Sequence, residues 1–204
     1  MQIKALVFDV FGTVVDWRTS ITRQVKVFAD QHGVAGDWAA FADRWREGYT
    51  SGMAEINAGK GAWKNVDDIH RARLDILLGE FDLPNVPEPE IAQLNRAWHR
   101  LDPWPDSVSG LSRLKSKFVI ATLSNGNVSL LVAMAKFAKL PWDCVLSSEL
   151  AGRYKPDHAV YRYAASILDL PSEQVMMVAA HSFDLVAARE AGLRTAFVAR
   201  PNEY

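Results

Sequence analysis

Asp9 closes the apolar run Leu6-Val7-Phe8 and is followed by Val10-Phe11-Gly12-Thr13. A carboxylate at the carboxyl end of a buried parallel strand lies where open α/β sheets bind ligands, and there it can act as a covalent nucleophile. Gly12 allows a tight turn straight after it, and Thr13 can fix that turn through its hydroxyl. Three more short segments carry chemistry: Ser124-Asn125-Gly126, Lys155-Pro156 and His181-Ser182-Phe183-Asp184. They supply a hydroxyl with an amide, a lysine, and a second carboxylate. Equally telling is Phe11, two residues after Asp9, which cannot protonate a leaving group.

Each segment follows its own apolar run, so the elements that must position them can be read around it. Strands are expected at Ile3–Phe8, Phe118–Leu123, Cys144–Leu146, Val175–Val178 and Thr195–Val198. Helices are expected at Asp106–Lys115, Val128–Ala138, His158–Leu168 and Leu185–Ala191, the last stopped by Gly192. Between Trp17 and Arg100 no strand pattern occurs. Instead Arg18–Gln31, Trp38–Met53, Asn65–Phe81 and Pro89–Arg100 show apolar residues at helical spacing, as in Phe41, Trp45, Tyr49 and Met53. The run Pro84–Pro89 reads as a loop, and Asp102-Pro103-Trp104-Pro105 as the return to the strand-bearing part. The fold class is α/β: a three-layer, doubly wound, Rossmann-like core formed by 1–16 and 101–204, with an all-helical insert over 17–100. A parallel sheet would open all four chemical segments on one carboxyl edge.

Composition narrows the class of function. The 204 residues are 49% hydrophobic and 23% charged, with a net charge of −1, which gives no electrostatic reason for nucleic acid or an anionic membrane as partner. The single cysteine, Cys144, excludes an internal disulfide and a multi-cysteine metal site, and reads as a buried inert thiol. No apolar run approaches the ~20 residues of a membrane span. A cytoplasmic protein is expected.

In motif order the chain resembles the haloacid dehalogenase superfamily, over essentially its whole length. Within that superfamily it is most similar to the 2-haloacid dehalogenase branch, type II, acting on L-2-haloacids. The residues that carry this likeness are Phe8 to Thr13, Trp45-Arg46, Leu123-Ser124-Asn125-Gly126-Asn127, Tyr154-Lys155-Pro156-Asp157 with Tyr161, and Ala179-Ala180-His181 before Asp184. The resemblance implies an inserted helical cap, a homodimer, and a further strand and helix beyond Val198.

The activity expected is hydrolysis of short 2-haloalkanoic acids to 2-hydroxy acids through an Asp9 ester, without metal or cofactor. Lys155 would hold an Asp9 oxygen, and Asp184 would orient Lys155 or the water. Backbone N–H groups of Val10 and Phe11, with Ser124, would bind the substrate carboxylate. The resemblance implies Arg46 and Asn125 as the halide cradle, with Thr13 and Tyr161 as supports. Phe11, Trp17, Phe183 and Trp63 would form a dry wall. His181 stands where better-known members carry Ser-x-Asn; it could bind the nucleophile or water, or be a core histidine. Asp184 could also cap the following helix. One alternative is a Mg²⁺-dependent phosphatase of the same superfamily acting on a small phosphate ester. Against it, Phe11 replaces the second acid, and Asp184 is the only acid of the last segment, which weakens an octahedral oxygen site. The other alternative is a binding protein on an inactive core.

Overall fold

Residues Ala5–Phe8 form strand β1, buried along its whole length. The computed structural model describes residues 2–83 and 85–203. After β1 come a two-residue strand β2 (Val15–Asp16) and four helices: α1 (Trp17–Gln31), α2 (Trp38–Asn57), α3 (Val66–Glu80) and α4 (Glu88–Asn95). A second short strand, β3 (Asp102–Pro103), pairs antiparallel with β2, so this small ribbon joins the two ends of the insert. Next come α5 (Ser107–Lys115), β4 (Val119–Ser124), α6 (Val128–Ala138) and β5 (Cys144–Ser147). The chain continues through α7 (Ser148–Ala151), α8 (His158–Ile167), β6 (Val175–Ala179), α9 (Ser182–Glu190) and β7 (Arg194–Phe197).

The five longer strands form one parallel sheet in the order β5-β4-β1-β6-β7. Side chains alternate across a strand, which explains why β1 is apolar throughout. Leu6 and Phe8 join the core shared with the helical insert, while Ala5 and Val7 join the cluster under α8 and α9. Phe8 lies opposite Thr122 on β4 and Val178 on β6. Asp9 therefore emerges at the middle of the sheet, flanked by the turns that carry Ser124-Asn125 and His181.

Side-chain caps begin most of the longer helices. Asp16, Asp37, Asn65 and Asp157 each accept a backbone N–H of the turn they precede. The N-terminus of α6 is served from outside, by the Glu149 carboxylate on Val128 N–H at 2.8 Å.

Several expected bounds shift. The sequence pattern hides β2 and β3, because two residues are too few to show a period. The fourth helix of the insert starts at Glu88, with Pro89 in its first turn, and ends at Asn95 in a 3₁₀ turn, Arg96–His99. The expected loop Pro84–Pro89 thus loses its last two residues to a helix, and Pro84 lies outside the described residues. Helix α9 starts three residues earlier than expected, so Asp184 sits inside its first turn and makes no cap bond. Cys144 is half-buried in β5, and burial pushes its thiol pKa up, as suits an unreactive thiol.

Candidate active site

The tight turn after β1 sets the site. Gly12 takes a left-handed φ of 82°, and a Cβ there would run into the Glu203 carboxylate. Thr13 swings back so that its hydroxyl donates to Asp9 Oδ2 at 2.8 Å and accepts Ala180 N–H at 2.9 Å. The Asp9 N–H is used by the Val178 carbonyl and that of Gly12 by Val15. Between them, the Val10 and Phe11 N–H groups find no acceptor among the described residues.

Lys155 Nζ donates to Asp9 Oδ1 at 3.1 Å and to Asp184 Oδ2 at 2.5 Å. Tyr161 donates its hydroxyl to Asp184 Oδ1 at 2.5 Å. All these groups are buried, so the two carboxylates separate chemically. Burial works against charge on Asp9, but Lys155, His181 and Thr13 outweigh it and hold its carboxyl well below the usual range. Burial, with the neighbouring charge of Asp9, pushes Asp184 the other way despite Lys155. Asp9 is thus the better-ionised acid. The ammonium lies directly between the two acids and supplies there the positive charge that a cation would otherwise bring.

His181 faces a carboxylate with each ring nitrogen: Nδ1 lies 2.9 Å from Asp9 Oδ2 and Nε2 lies 2.8 Å from Glu203 Oε2. Two such acceptors require both nitrogens to carry hydrogen. Burial opposes that charge, yet the bonds to Asp9 and Glu203 raise the ring's pKa to about 9. Glu203 is itself held by Trp17 Nε1 at 2.5 Å.

The insert closes the site from above. A cavity of about 400 Å³ is bounded by Asp9, Asn125, Lys155, His181, Phe183 and Asp184 below, and by Arg46, Tyr49, Met53 and Asn57 above. A larger groove, about 710 Å³, runs between α2 and α3, but none of the Asp9 network lines it. The Arg46 guanidinium lies over three rings: Tyr49 (4.4 Å), Trp17 (5.4 Å) and Phe11 (5.5 Å). His70 is sandwiched between Trp98 at 4.2 Å and Tyr49 at 5.4 Å. Burial, with the Arg46 charge, drives the His70 pKa well below its usual value, so the ring is neutral. Arg46 Nη1, both His70 nitrogens and Trp98 Nε1 are buried without a partner among the described residues. Buried polar atoms left unpaired are costly, and of these residues Arg46 lines the cavity over Asp9.

A family model described as haloacid dehalogenase-like hydrolase matches residues 3–192. The chain belongs to the haloacid dehalogenase-like hydrolase family. Within it the chain falls in the L-2-haloacid dehalogenase branch. It is similar to (S)-2-haloacid dehalogenase 4A of Burkholderia cepacia, 29% identical over all of this chain and 87% of that protein. The crystal structure of a defluorinating L-2-haloacid dehalogenase is 47% identical, with a TM-score of 0.95 over 98% of this chain and 82% of its own. The Xanthobacter autotrophicus L-2-haloacid dehalogenase with chloropropionic acid covalently bound is 26% identical, with a TM-score of 0.83 over 97% and 78% of the two chains.

Among the site residues expected from the sequence of this dehalogenase-like chain, Asp9, Thr13, Lys155, Tyr161, His181 and Asp184 form one hydrogen-bonded network. Arg46, Asn125 and Phe183 face the same cavity. Asn125 is fixed as an acceptor, its Oδ1 taking Ser148 Oγ at 2.6 Å and Lys155 N–H at 2.8 Å. Ser124 is not brought to the cavity: it is fully buried and its Oγ accepts Gly126 N–H. Trp63 is no part of the wall either, since it stacks on Tyr154 at 4.6 Å, away from the nucleophile. His70, Trp98 and Glu203 were missed. A histidine within the buried stripe Val66, Ile69, Leu74, Leu77 was the available signal for the first. For Glu203 no local pattern exists.

Proposed function

We propose that the protein hydrolyses short L-2-haloalkanoic acids to 2-hydroxy acids through an ester on Asp9. The observation that carries this reading is the ionised Asp9 carboxylate, paired with Lys155 at 3.1 Å, with apolar Phe11 where a leaving-group acid would stand. Halide leaves without a proton; an alkoxide or a phosphate ester does not.

The two Asp9 oxygens divide the work. Oδ2 accepts from Thr13 and His181, whereas among the described residues Oδ1 accepts only from Lys155, and so keeps a lone pair free to attack. Oδ1 displaces halide at C2 with inversion, the C–X pair leaving as X⁻. The free N–H groups of Val10 and Phe11 hold the substrate carboxylate. Water then adds to the Asp9 carboxyl carbon, and charge collects on Oδ2, where Thr13 and the His181 imidazolium already donate. Collapse breaks the bond between the Asp9 carboxyl carbon and Oδ1, which stays on C2 as the hydroxyl oxygen of the hydroxy acid, while the water oxygen remains in the regenerated carboxylate. One water proton ends on that hydroxyl and the other leaves with the halide as acid.

Arg46, with N–H groups of Trp98 and His70, receives the halide. Such a compact set of strong donors suits fluoride, the halide that most needs hydrogen bonds to leave, and the similarity to a defluorinating relative supports the same choice. No described helix is long and apolar enough to cross a membrane, and we place the enzyme in the cytoplasm, as a dimer, with 17–100 acting as its cap. Halide release from chloroacetate, fluoroacetate and each enantiomer of 2-chloropropionate, with EDTA present, tests the function. The expected result is turnover of the L enantiomer and of fluoroacetate. Release of phosphate from p-nitrophenyl phosphate that EDTA abolishes, with no halide release, would overturn it.

A further inference from the structure

Tyr154, the residue immediately before Lys155, is fully buried, and the cap grips it at four points. The Asn57 carboxamide meets both sides of its backbone: Nδ2 donates to Tyr154 O at 2.8 Å, and Oδ1 accepts Tyr154 N–H at 2.9 Å. The Tyr154 hydroxyl donates to Lys64 O at 2.6 Å. Its ring stacks on Trp63 at 4.6 Å with 20° between planes. Asn57, Trp63 and Lys64 all lie at the end of α2 and in the link to α3. On the other side, the next N–H, that of Lys155, is fixed by Asn125 Oδ1 from the core. One peptide unit is therefore clamped between cap and core, and it carries the lysine that holds Asp9.

We infer that Asn57 is a positioning residue for Lys155, coupling the seating of the cap to the placement of the ammonium between Asp9 and Asp184. This rests on the role given to Lys155 above. A carboxamide suits the task because it offers a donor and an acceptor side by side, matching one residue's C=O and N–H. Aspartate would keep the acceptor, lose the donor to Tyr154 O, and place a charge against buried backbone. Trp63 and the Lys64 carbonyl hold the Tyr154 side chain, so the backbone cannot rotate away from Asn57. From the core side, the Asp157 N–H also reaches the Tyr154 carbonyl at 3.0 Å, so Asn57 adds a second donor there and is the only one of these that comes from the insert among the described residues.

The test compares Asn57→Ala and the milder Tyr154→Phe with Asn95→Ala, which removes a cap hydrogen bond to Asp67 O that involves neither Tyr154 nor Lys155. Two readouts are taken: kcat and KM for L-2-chloropropionate, and hydrogen exchange at the Tyr154 and Lys155 amides. Asn57→Ala is expected to lower kcat about 10-fold with KM within about twofold, since a small misplacement of a reacting group costs rate more than binding. Tyr154→Phe should lower kcat about threefold, in line with one lost hydrogen bond. Both should speed exchange at the two amides, and Asn95→Ala should do neither. Unchanged exchange in Asn57→Ala, or faster exchange with kcat within twofold of the parent, overturns the inference. So does a kcat loss that Asn95→Ala matches. A parent protein that releases no halide would overturn the functional reading instead, and the exchange comparison still decides whether the clamp exists.

Discussion

The lower and upper halves of the site are built on opposite terms. On the sheet edge every charged group is paired: Asp9 with Lys155, Thr13 and His181; Asp184 with Lys155 and Tyr161; His181 with Glu203. In the cap, Arg46 Nη1, Trp98 Nε1 and His70 are equally buried and have no partner among the described residues. A fully connected network fixes its members before substrate arrives, which suits a nucleophile that must be aimed. Unpaired donors in an aromatic-walled space are useful only when an acceptor enters. On the proposed mechanism, the sheet edge holds the charge that attacks and the helical insert receives the charge that leaves.

Breaking the core half should have the largest effect. Lys155→Ala is expected to reduce kcat/KM by about 10³-fold, because it removes the cation that bridges two buried carboxylates. It should also move the acid limb of the pH profile upward, since the Asp9 carboxyl is held low chiefly by Lys155 against burial. A loss with an unmoved acid limb would show that Lys155 acts elsewhere.

Breaking the cap half should be smaller and should depend on the halide. Arg46→Leu is expected to cost about 10²-fold with fluoroacetate, the scale of one lost charge-stabilising donor, and visibly less with bromoacetate. Trp98→Phe keeps the ring packing and deletes one N–H, so about 10-fold is expected with fluoroacetate and little with bromoacetate. Equal losses across halides would mean that the cap donors bind substrate rather than leaving group.

The smallest effect concerns stability and comes from His181. Its folded pKa is raised from 6.5 to about 9, so its bonds to Asp9 and Glu203 contribute fully below pH 6.5 and fade as pH rises through about 9. Thermal melts of the parent should lose stability over that window. His181→Gln should be less stable at pH 6 and show a flatter profile, and an identical slope in the two proteins would remove the imidazolium from the account.

What the sequence made legible follows from distance along the chain. Asp9 is visible because an apolar run stops at an acid, and the cap helices because Phe41, Trp45, Tyr49 and Met53 repeat with one face buried. The βα alternation placed the Lys155 and Asp184 segments on the same edge as Asp9. His70 and Trp98 were hidden because a residue on a buried helix face looks like packing until its neighbours are known. Glu203 meets Trp17 and His181 only through long-range contacts, and Ser124, expected to bind the substrate carboxylate, is buried with its Oγ accepting Gly126 N–H. Where function depends on which polar atoms remain unpaired, only the folded structure reveals it.

The central claim is that Asp9 bonds to substrate carbon. A single turnover in ¹⁸O water, with enzyme in excess over L-2-chloropropionate, tests it most directly by mass spectrometry of product and of the Asp9 peptide. The account predicts unlabelled hydroxyl in the product and one ¹⁸O in the Asp9 carboxylate. Label in the product hydroxyl, with none in Asp9, would contradict it.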